Sequence, residues 1–280
     1  MIVIADSGST NTNWIISDNR SVIHRVKTEG LNPNFSTPDN IASVVKEKIL
    51  PLVVNSGQTR IYFYGSGCSG TYLCDKARQA IRKILNKAYI EVNGDLLGTA
   101  RALFGKDEGI ACILGTGSNS CLYDGGKIIA NIPPLGFILG DEGGGAYLGK
   151  RLLADYLKEI MPADVSELFS NKYHTYKELV IEKVYRGEFP NKYIASFVVF
   201  LKDNIINPYC SDLVKDAFSD FINRNIRFYD RYDRLTISFT GSVAWHFNDI
   251  LGQVMKSFDL KLGEVIKEPA ERIMEFHLSQ

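Results

Sequence analysis

Ile110-Ala-Cys-Ile-Leu-Gly-Thr-Gly-Ser-Asn119 is a short apolar run that stops at a tight turn of glycines and hydroxyls. A strand that ends this way presents backbone N–H groups and small hydroxyls to an anion. The chain opens on a similar event, where Ile2-Val3-Ile4-Ala5 runs into Asp6-Ser7-Gly8-Ser9-Thr10-Asn11-Thr12. Each loop is followed by a second apolar run, Asn13 to Ser17 and Ser120 to Tyr123. Each run then turns, at Asp18-Asn19 and at Asp124-Gly125-Gly126, into a third. The pattern predicts one strand-loop-strand-turn-strand unit used twice, with the rest of the chain built around the pair.

The 280 residues are 45% hydrophobic and 23% charged, enough for a real core and one large or two medium domains. Lys plus Arg and Asp plus Glu both total 32, so whole-chain electrostatics favours neither nucleic acid nor an anionic membrane. No stretch approaches the roughly 20 apolar residues of a membrane helix. Asp6 interrupts the first apolar run, so no cleavable leader is read and a cytoplasmic location is the default expectation. The cysteines, Cys68, Cys74, Cys112, Cys121 and Cys210, are odd in number, lack a CxxC and lie mostly in apolar runs, which predicts reduced structural thiols.

Residues 1–29 read as three antiparallel strands. Thr37 caps a helix with Pro38 in its first turn, apolar at Ile41, Val44, Val45 and Ile49. A strand at Arg60 to Tyr64 leads through a glycine loop to a helix from Tyr72 to Leu85. A second strand, Tyr89 to Val92, ends at a turn, Asn93-Gly94-Asp95, before a helix that stops at Gly105. After the repeated unit, Ala146 to Arg227 is helical, with breaks near Pro162, Gly187 to Pro190 and Pro208. Leu235 to Phe239 is a strand meeting Thr240-Gly241-Ser242, with Ser242 as cap of one helix from Val243 to Phe258. Val265-Ile266 and a helix begun by Pro269 close the chain. Strands alternating with helices after each meander give an α/β protein of two similar domains, with a nucleotide expected in the cleft where both sets of loops point.

Five loops carry candidate chemistry. In Asp6 to Thr10, small residues admit close approach of phosphate, Ser7, Ser9 and Thr10 supply hydroxyls, and Asp6 is suited to hydrated Mg²⁺. In Gly115 to Asn119, Thr116 and the N–H groups after Gly115 suit terminal phosphates, with Ser118 and Asn119 one step further toward an acceptor. Gly241-Ser242 delivers a strand to a helix start, suited to a sugar or phosphate edge of a nucleotide. Asp95, at a strand end, is a helix cap on the plain reading and a general base in a cleft facing a γ-phosphate. Gly140-Asp141-Glu142-Gly143-Gly144-Gly145 places three successive glycines where a helix begins, which demands close backbone approach or unusual torsions. Asp141 suits sugar hydroxyls, and Glu142 reads as a solvated capping carboxylate.

Gly65-Ser-Gly67-Cys-Ser-Gly70 is a GxGxxG after a strand, and Asp95 follows the next strand, so a dinucleotide fingerprint has to be weighed. It leaves the other loops without purpose. A Walker lysine motif is absent, and His24, His174, His246 and His277 show no metal spacing.

Taken in order, Asp6-Ser-Gly-Ser-Thr-Asn-Thr, Leu114-Gly-Thr-Gly-Ser-Asn, Leu139-Gly-Asp-Glu-Gly and Phe239-Thr-Gly-Ser-Val resemble the signatures of the N-acetylglucosamine kinase branch of the actin-like ATPase superfamily. The wider group includes the ATPase activators of benzoyl-CoA reductase and hydroxyacyl-CoA dehydratase, whose cluster-binding cysteines have no counterpart here. The resemblance spans nearly the whole chain. It implies two RNase-H-like domains, 1–107 and 108–280, the second with a helical insertion and a last helix free to return to the first. It implies ATP and Mg²⁺ between them.

By motif, the resemblance places Asp6, Gly8, Ser9, Thr10, Asn11, Gly115, Thr116, Gly117, Gly241 and Ser242 at the nucleotide, with Asp6 toward the metal. Asp95 matches the catalytic base. Ser118, Asn119 and Asp141 match sugar contacts. The family's sugar-binding asparagine falls in Gly30-Leu-Asn-Pro-Asn34, where Asn32 fits best and Asn34 is the alternative. The aromatic-glycine step of the animal enzyme's sugar pocket stands here as Leu135-Gly136. The implied function is ATP-dependent phosphorylation of an amino sugar, N-acetylglucosamine first, at the 6-hydroxyl. A sugar-sensing or activator-type ATPase and a dinucleotide oxidoreductase are the rivals. The expected partner is a small-molecule sugar, with no nucleic acid and no membrane, and packing and a homodimer face are expected of the helical block 146–227.

Overall fold

The computed structural model describes residues 1–18, 21–68 and 70–280. Two compact units are present. The first comprises Met1–Glu108, Tyr123–Ile129 and Glu268–Gln280, and the second Gly109–Leu122 and Ala130–Lys267.

In the first unit the strands are β1 (Ile2–Ser7), β2 (Asn11–Ser17), β3 (Val22–Glu29), β4 (Arg60–Gly65) and β5 (Tyr89–Gly94), in sheet order β3-β2-β1-β4-β5. The meander is antiparallel, whereas β4 and β5 join β1 in parallel. Side chains alternate faces along a strand. Val3, Ala5, Trp14, Ile16, Ile61 and Phe63 share one core with α1 (Pro38–Val44) and α2 (Thr71–Ile84). Ile2, Ile4, Ile15 and Tyr64 share a second with Ala270, Ile273 and Met274 of the terminal helix, Ala270–Leu278. A sheet covered on both faces explains why β1 is apolar without alternation.

The elements differ from expectation in a few places. Thr37 caps α1 by accepting from the Asn40 N–H, as its sequence predicts, but the helix passes into a π turn at Val45–Ile49 before Pro51. β5 runs through Gly94, so α3 (Asp95–Phe104) starts on Asp95 with no intervening turn. Asn19 of the first expected turn and Ser69 of the GxGxxG lie outside the described residues.

The second sheet repeats the first. It contains β6 (Gly109–Leu114), β7 (Ser118–Tyr123), β8 (Ile128–Ala130), β9 (Ile237–Thr240) and β10 (Leu262–Ile266), in order β10-β9-β6-β7-β8. Again the first strand of the meander pairs in parallel with the next strand along the chain, β9, and β10 follows outside it. Its helices are α4 (Gly136–Leu139), α5 (Gly145–Leu157), α6 (Ala163–Tyr173), α7 (Lys177–Arg186), α8 (Pro190–Ser196), α9 (Val198–Asp203), α10 (Pro208–Arg224), α11 (Ser242–His246) and α12 (Asn248–Ser257).

The single helix expected from Val243 to Phe258 is therefore two. Phe247, buried and outside helical torsions, separates them, and no proline or glycine marks the break. The helical block is packing in the main: Phe169, Phe200, Phe218 and Phe221 lie in one core with Cys112, Leu114 and Phe239 of the sheet.

Candidate active site

At the C-terminal ends of the parallel strands of the first unit, Ser7 lies beside Gly65 and Gly65 beside Gly94. This is the edge at which open parallel sheets bind ligands. Asp6 and Asp95 are delivered here by β1 and by the β5–α3 junction.

The first hairpin closes when the Gly8 N–H donates to the Asn11 carbonyl at 3.0 Å. The N–H groups of Ser9 and Thr10 have no backbone acceptor, and their side chains make no hydrogen bond among the described residues. Two successive unspent N–H groups flanked by free hydroxyls form an anion cradle. Ser7 does not contribute, contrary to expectation: its hydroxyl is fully buried, lies 2.8 Å from Thr12 Oγ1 and accepts from the Leu31 N–H at 3.0 Å. That bond ties the hairpin to the Asn32 loop. Gly30 seals the tie, since a Cβ there would fall 2.5 Å from the Gly8 carbonyl oxygen.

Asn32 is buried and Asn34 exposed. Asn32 Oδ1 accepts from the Asn34 N–H at 2.9 Å, and its carbonyl takes the N–H groups of Phe35 and Ser36. Both asparagines lean on Gly67, which has φ +80° and whose missing Cβ would sit 2.2 Å from Asn32 Oδ1 and 2.6 Å from Asn34 Nδ2. The glycine loop that mimics a dinucleotide fingerprint thus serves as backing for the asparagine loop.

Asp6 is half-buried and forms no ion pair or hydrogen bond through its side chain among the described residues. Burial, with Asp95 and then Glu268 adding negative charge, pushes its pKa to about 7. No cation among the described residues relieves it, which suits a divalent ion that takes one or two carboxylates and keeps its waters. Among the described residues no cluster of three or more metal-ligating side chains exists. Asp95 is raised to about 6 by burial, against hydrogen bonds from the Leu96 N–H, the Ser66 hydroxyl and its own N–H. Gly94 occupies the cap position and Asp95 the first helical turn, so the plain capping reading is displaced by one residue. Sequence reasoning missed Ser66 and Glu268. Ser66 had a signal, one step beyond a parallel strand end; Glu268 had none, being brought back by the terminal segment.

In the second unit the hairpin closes when the Gly115 N–H donates to the Gly117 carbonyl at 2.9 Å, which leaves the N–H groups of Thr116 and Gly117 without a backbone acceptor. The carbonyls of Gly115 and Thr116 accept from the N–H groups of Gly145 and Ala146, both at 2.8 Å. The start of α5 therefore clamps the hairpin, which also satisfies two otherwise orphaned helix donors. Small residues are obligatory here: a Cβ on Gly144 would lie 2.6 Å from Gly117, and one on Gly117 would lie 2.6 Å from Asp141 Oδ2. A Cβ on Gly241, at φ +109°, would lie 2.4 Å from the Leu114 carbonyl oxygen.

Asp141 itself is left-handed, with φ +57°. Its N–H donates to Pro134, and its carboxylate accepts from the Ser118 N–H at 3.3 Å. Burial raises its pKa to about 6. Glu142 is the correction. It is buried rather than solvated and lies 3.6 Å from Arg224, leaving Asp141 as the more open carboxylate.

The second unit thus brings together Gly115, Thr116, Gly117, Ser118, Asp141 and Gly241. Ser242 is the first residue of α11 rather than its cap, a place taken by Gly241. Asn119 Oδ1 is engaged by the Ser120 N–H and by Asn131 Nδ2. Gly136 is exposed, with open space about it and its carbonyl held by the Gly140 N–H.

No family model and no curated protein sequence matches the chain. Solved structures do. One, described as a “putative N-acetylglucosamine kinase” from Porphyromonas gingivalis, is 41% identical, with 100% of this chain and 99% of that chain covered and a TM-score of 0.95. A protein of the same description from Chromobacterium violaceum is 18% identical over 100% and 98% of the two chains, with a TM-score of 0.73. A ROK family glucokinase from Streptomyces griseus, in complex with glucose and AMPPNP, is 12% identical over 99% and 98%, with a TM-score of 0.55. The last two show the fold alone.

Proposed function

The chain belongs to the N-acetylglucosamine kinase-like family of the actin-like ATPase superfamily, an ATP-dependent sugar kinase, and from that premise we propose that it transfers the γ-phosphoryl group of ATP to the 6-hydroxyl of an amino sugar, N-acetylglucosamine first. The observation that carries the reading is the repeated hairpin. Each unit ends its first strand in a glycine turn that leaves two successive N–H groups unspent, at Ser9-Thr10 and at Thr116-Gly117. Phosphate oxygens are the acceptors that such unspent donors suit.

In this reading Asp6 holds hydrated Mg²⁺, which supplies the charge neutralisation that a phosphate-loop lysine provides elsewhere. Gly8 to Asn11, Gly115 to Gly117 and the Gly241-Ser242 turn hold the nucleotide. Asn32, Ser118, Asn119, Asp141 and Gly136 hold the sugar. Asp95 accepts the hydroxyl proton as that oxygen bonds to the γ-phosphorus and the bond to the bridging oxygen of ADP breaks. Among the described residues no helix is long and apolar enough to cross a membrane.

The test is an ADP-release assay over a panel of hexoses and amino sugars, with the mass of each product. ADP release that requires an amino sugar and yields its monophosphate supports the proposal. ATP turnover indifferent to every sugar, with no phosphosugar formed, assigns the protein to the sensing or activator-type ATPases instead.

A further inference from the structure

Asn119 is the second residue of β7, and Asn131 is the residue that follows β8, the strand beside it. The two ends of a carboxamide are alike in shape, so what it offers a ligand depends on which end is already spent. Here the backbone decides. The Ser120 N–H only donates, so the Asn119 atom 2.9 Å from it is Oδ1. A second donor, Asn131 Nδ2, reaches the same oxygen at 2.9 Å. The identity of that nitrogen is fixed in turn, because it also meets two carbonyl oxygens, that of Ser120 at 2.7 Å and that of Ile132 at 3.3 Å. Asn119 Oδ1 is thereby taken by two donors, whereas Asn119 Nδ2 has no acceptor among the described residues. The segment that carries Asn131 is held as well. The Ile132 N–H donates to Oη of the buried Tyr229 at 3.0 Å, and the same Oη lies 2.8 Å from Ser120 Oγ.

We infer that Asn131 is a positioning residue for the substrate: it holds the Asn119 carboxamide with its oxygen spent on the protein and its two N–H groups left for the acetyl oxygen or a hydroxyl oxygen of the sugar other than the one phosphorylated. It rests on the proposed role of Asn119 as a sugar contact. With the Ser120 N–H alone, the amide keeps a single bond to its own neighbour and is free to rock about its broad terminal torsion. The bond to Asn131, which comes from a different segment, removes that freedom before the sugar arrives, and a preorganised donor costs less to engage. The arrangement also selects. A site that offers only N–H groups at this point takes an oxygen acceptor and gains nothing from a C–H or an ammonium group in its place.

The test is steady-state kinetics and thermal melting of the parent, Asn119→Ala, Asn131→Ala, Asn131→Asp and the Asn119→Ala, Asn131→Ala pair. The sugars are N-acetylglucosamine, its 1-, 3- and 4-deoxy analogues, and glucosamine, which lacks the acetyl oxygen. Asn131→Ala should raise the KM for N-acetylglucosamine about three- to tenfold, the range of one neutral hydrogen bond, with kcat and the KM for ATP within about twofold. Asn131→Asp keeps the shape but turns no donor to those oxygens, and should cost at least as much. Asn119→Ala should cost about tenfold or more, and adding Asn131→Ala to it should cost nothing further. On the analogue that lacks the oxygen Asn119 reads, neither substitution should raise KM. If Asn119→Ala raises the sugar KM and Asn131→Ala does not, Asn131 does not position it and only this inference falls. If Asn131→Ala costs the same factor with and without the Asn119 side chain, its effect is general and the inference is again overturned. If Asn119→Ala leaves the sugar KM unchanged, the sugar contact falls and Asn131 with it, whereas a parent that phosphorylates no sugar overturns the proposed function first. Should Asn131→Ala melt far below the parent, the analogues decide, and a penalty that persists on all of them overturns the inference.

Discussion

Asp95 is held by opposed influences: burial favours its neutral form, while three hydrogen-bond donors favour its ionised form, and burial wins by enough to bring its pKa to about 6. A base with that pKa works when ionised. The kcat–pH profile of the sugar-kinase reaction should therefore rise across about pH 5 to 7 and level off above it. Asp95→Asn should lower kcat by about two to four orders of magnitude with KM values little changed, because general-base removal spares binding. Near-parent turnover would remove the assignment. Gly67 makes the companion point about space. Gly67→Ala puts a Cβ into Asn32 Oδ1 at a left-handed φ, so the sugar KM should rise about tenfold while the ATP KM stays put. An unchanged sugar KM would mean that the asparagine loop does not reach the sugar.

Asp6 shows how a functional carboxylate opposes stability. Its folded pKa of about 7 lies above its ordinary value of 3.8, so the group favours the folded state below pH 4 and loses that contribution as pH rises toward 7. Asp6→Asn removes the burial penalty of the charge. The ligand-free variant should melt higher than the parent at pH 7.5, by a margin that shrinks toward pH 5, while its KM for ATP at fixed Mg²⁺ rises. A variant that melts lower at pH 7.5 would mean that the carboxylate has a partner in the folded protein.

Among the elements, the terminal helix Ala270–Leu278 is anchored by chemistry as well as by packing. Arg101 Nη1 donates to Tyr64 Oη at 2.6 Å, and an arginine only donates. Tyr64 Oη also shares a hydrogen bond with His277 Nε2, 2.7 Å away. Tyr62 stacks on the same ring, with centroids 3.6 Å apart. Burial, then the Arg101 charge, lowers the His277 pKa to about 4. The sign follows from a folded pKa below the ordinary 6.5: the contribution is complete above pH 6.5 and is lost as pH falls toward 4. His277→Phe keeps a ring for Tyr62 but no hydrogen-bond partner for Tyr64. It should melt about 2–4 °C lower at pH 7.5 and lose part of the parent's decline between pH 6.5 and 4. An unchanged slope would show that His277 does not carry the proton linkage.

What was legible at this scale was whatever the chain states locally. Thr37-Pro38 announces α1, and glycine-hydroxyl turns announce both hairpins. The break at Phe247 and the π turn at Val45–Ile49 were not legible, because buried packing rather than a breaker residue sets them. Glu142 was misread for the same reason: its burial depends on α10, which brings Arg224 to it.

For the whole molecule, the deciding feature is repetition. The orders β3-β2-β1-β4-β5 and β8-β7-β6-β9-β10 are the same path drawn twice, and each path ends its first strand in a glycine hairpin. The repeat could be read from sequence because its hairpins are punctuated by glycines and hydroxyls. The order of the added parallel strands could not, since parallel pairing leaves no local mark. The candidate site was legible in the same measure. Asp6, Thr10, Thr116 and Asp141 lie in or at the edge of punctuated loops, whereas Glu268 gains meaning from the segment set beside it.

The central claim is phosphoryl transfer from ATP to a sugar hydroxyl, and the phosphorus resonance of the product tests it most directly. With N-acetylglucosamine, ATP and Mg²⁺, the proton–phosphorus correlation spectrum should show the new phosphorus coupled to the two protons on carbon 6. A spectrum containing only ADP and inorganic phosphate would contradict the account.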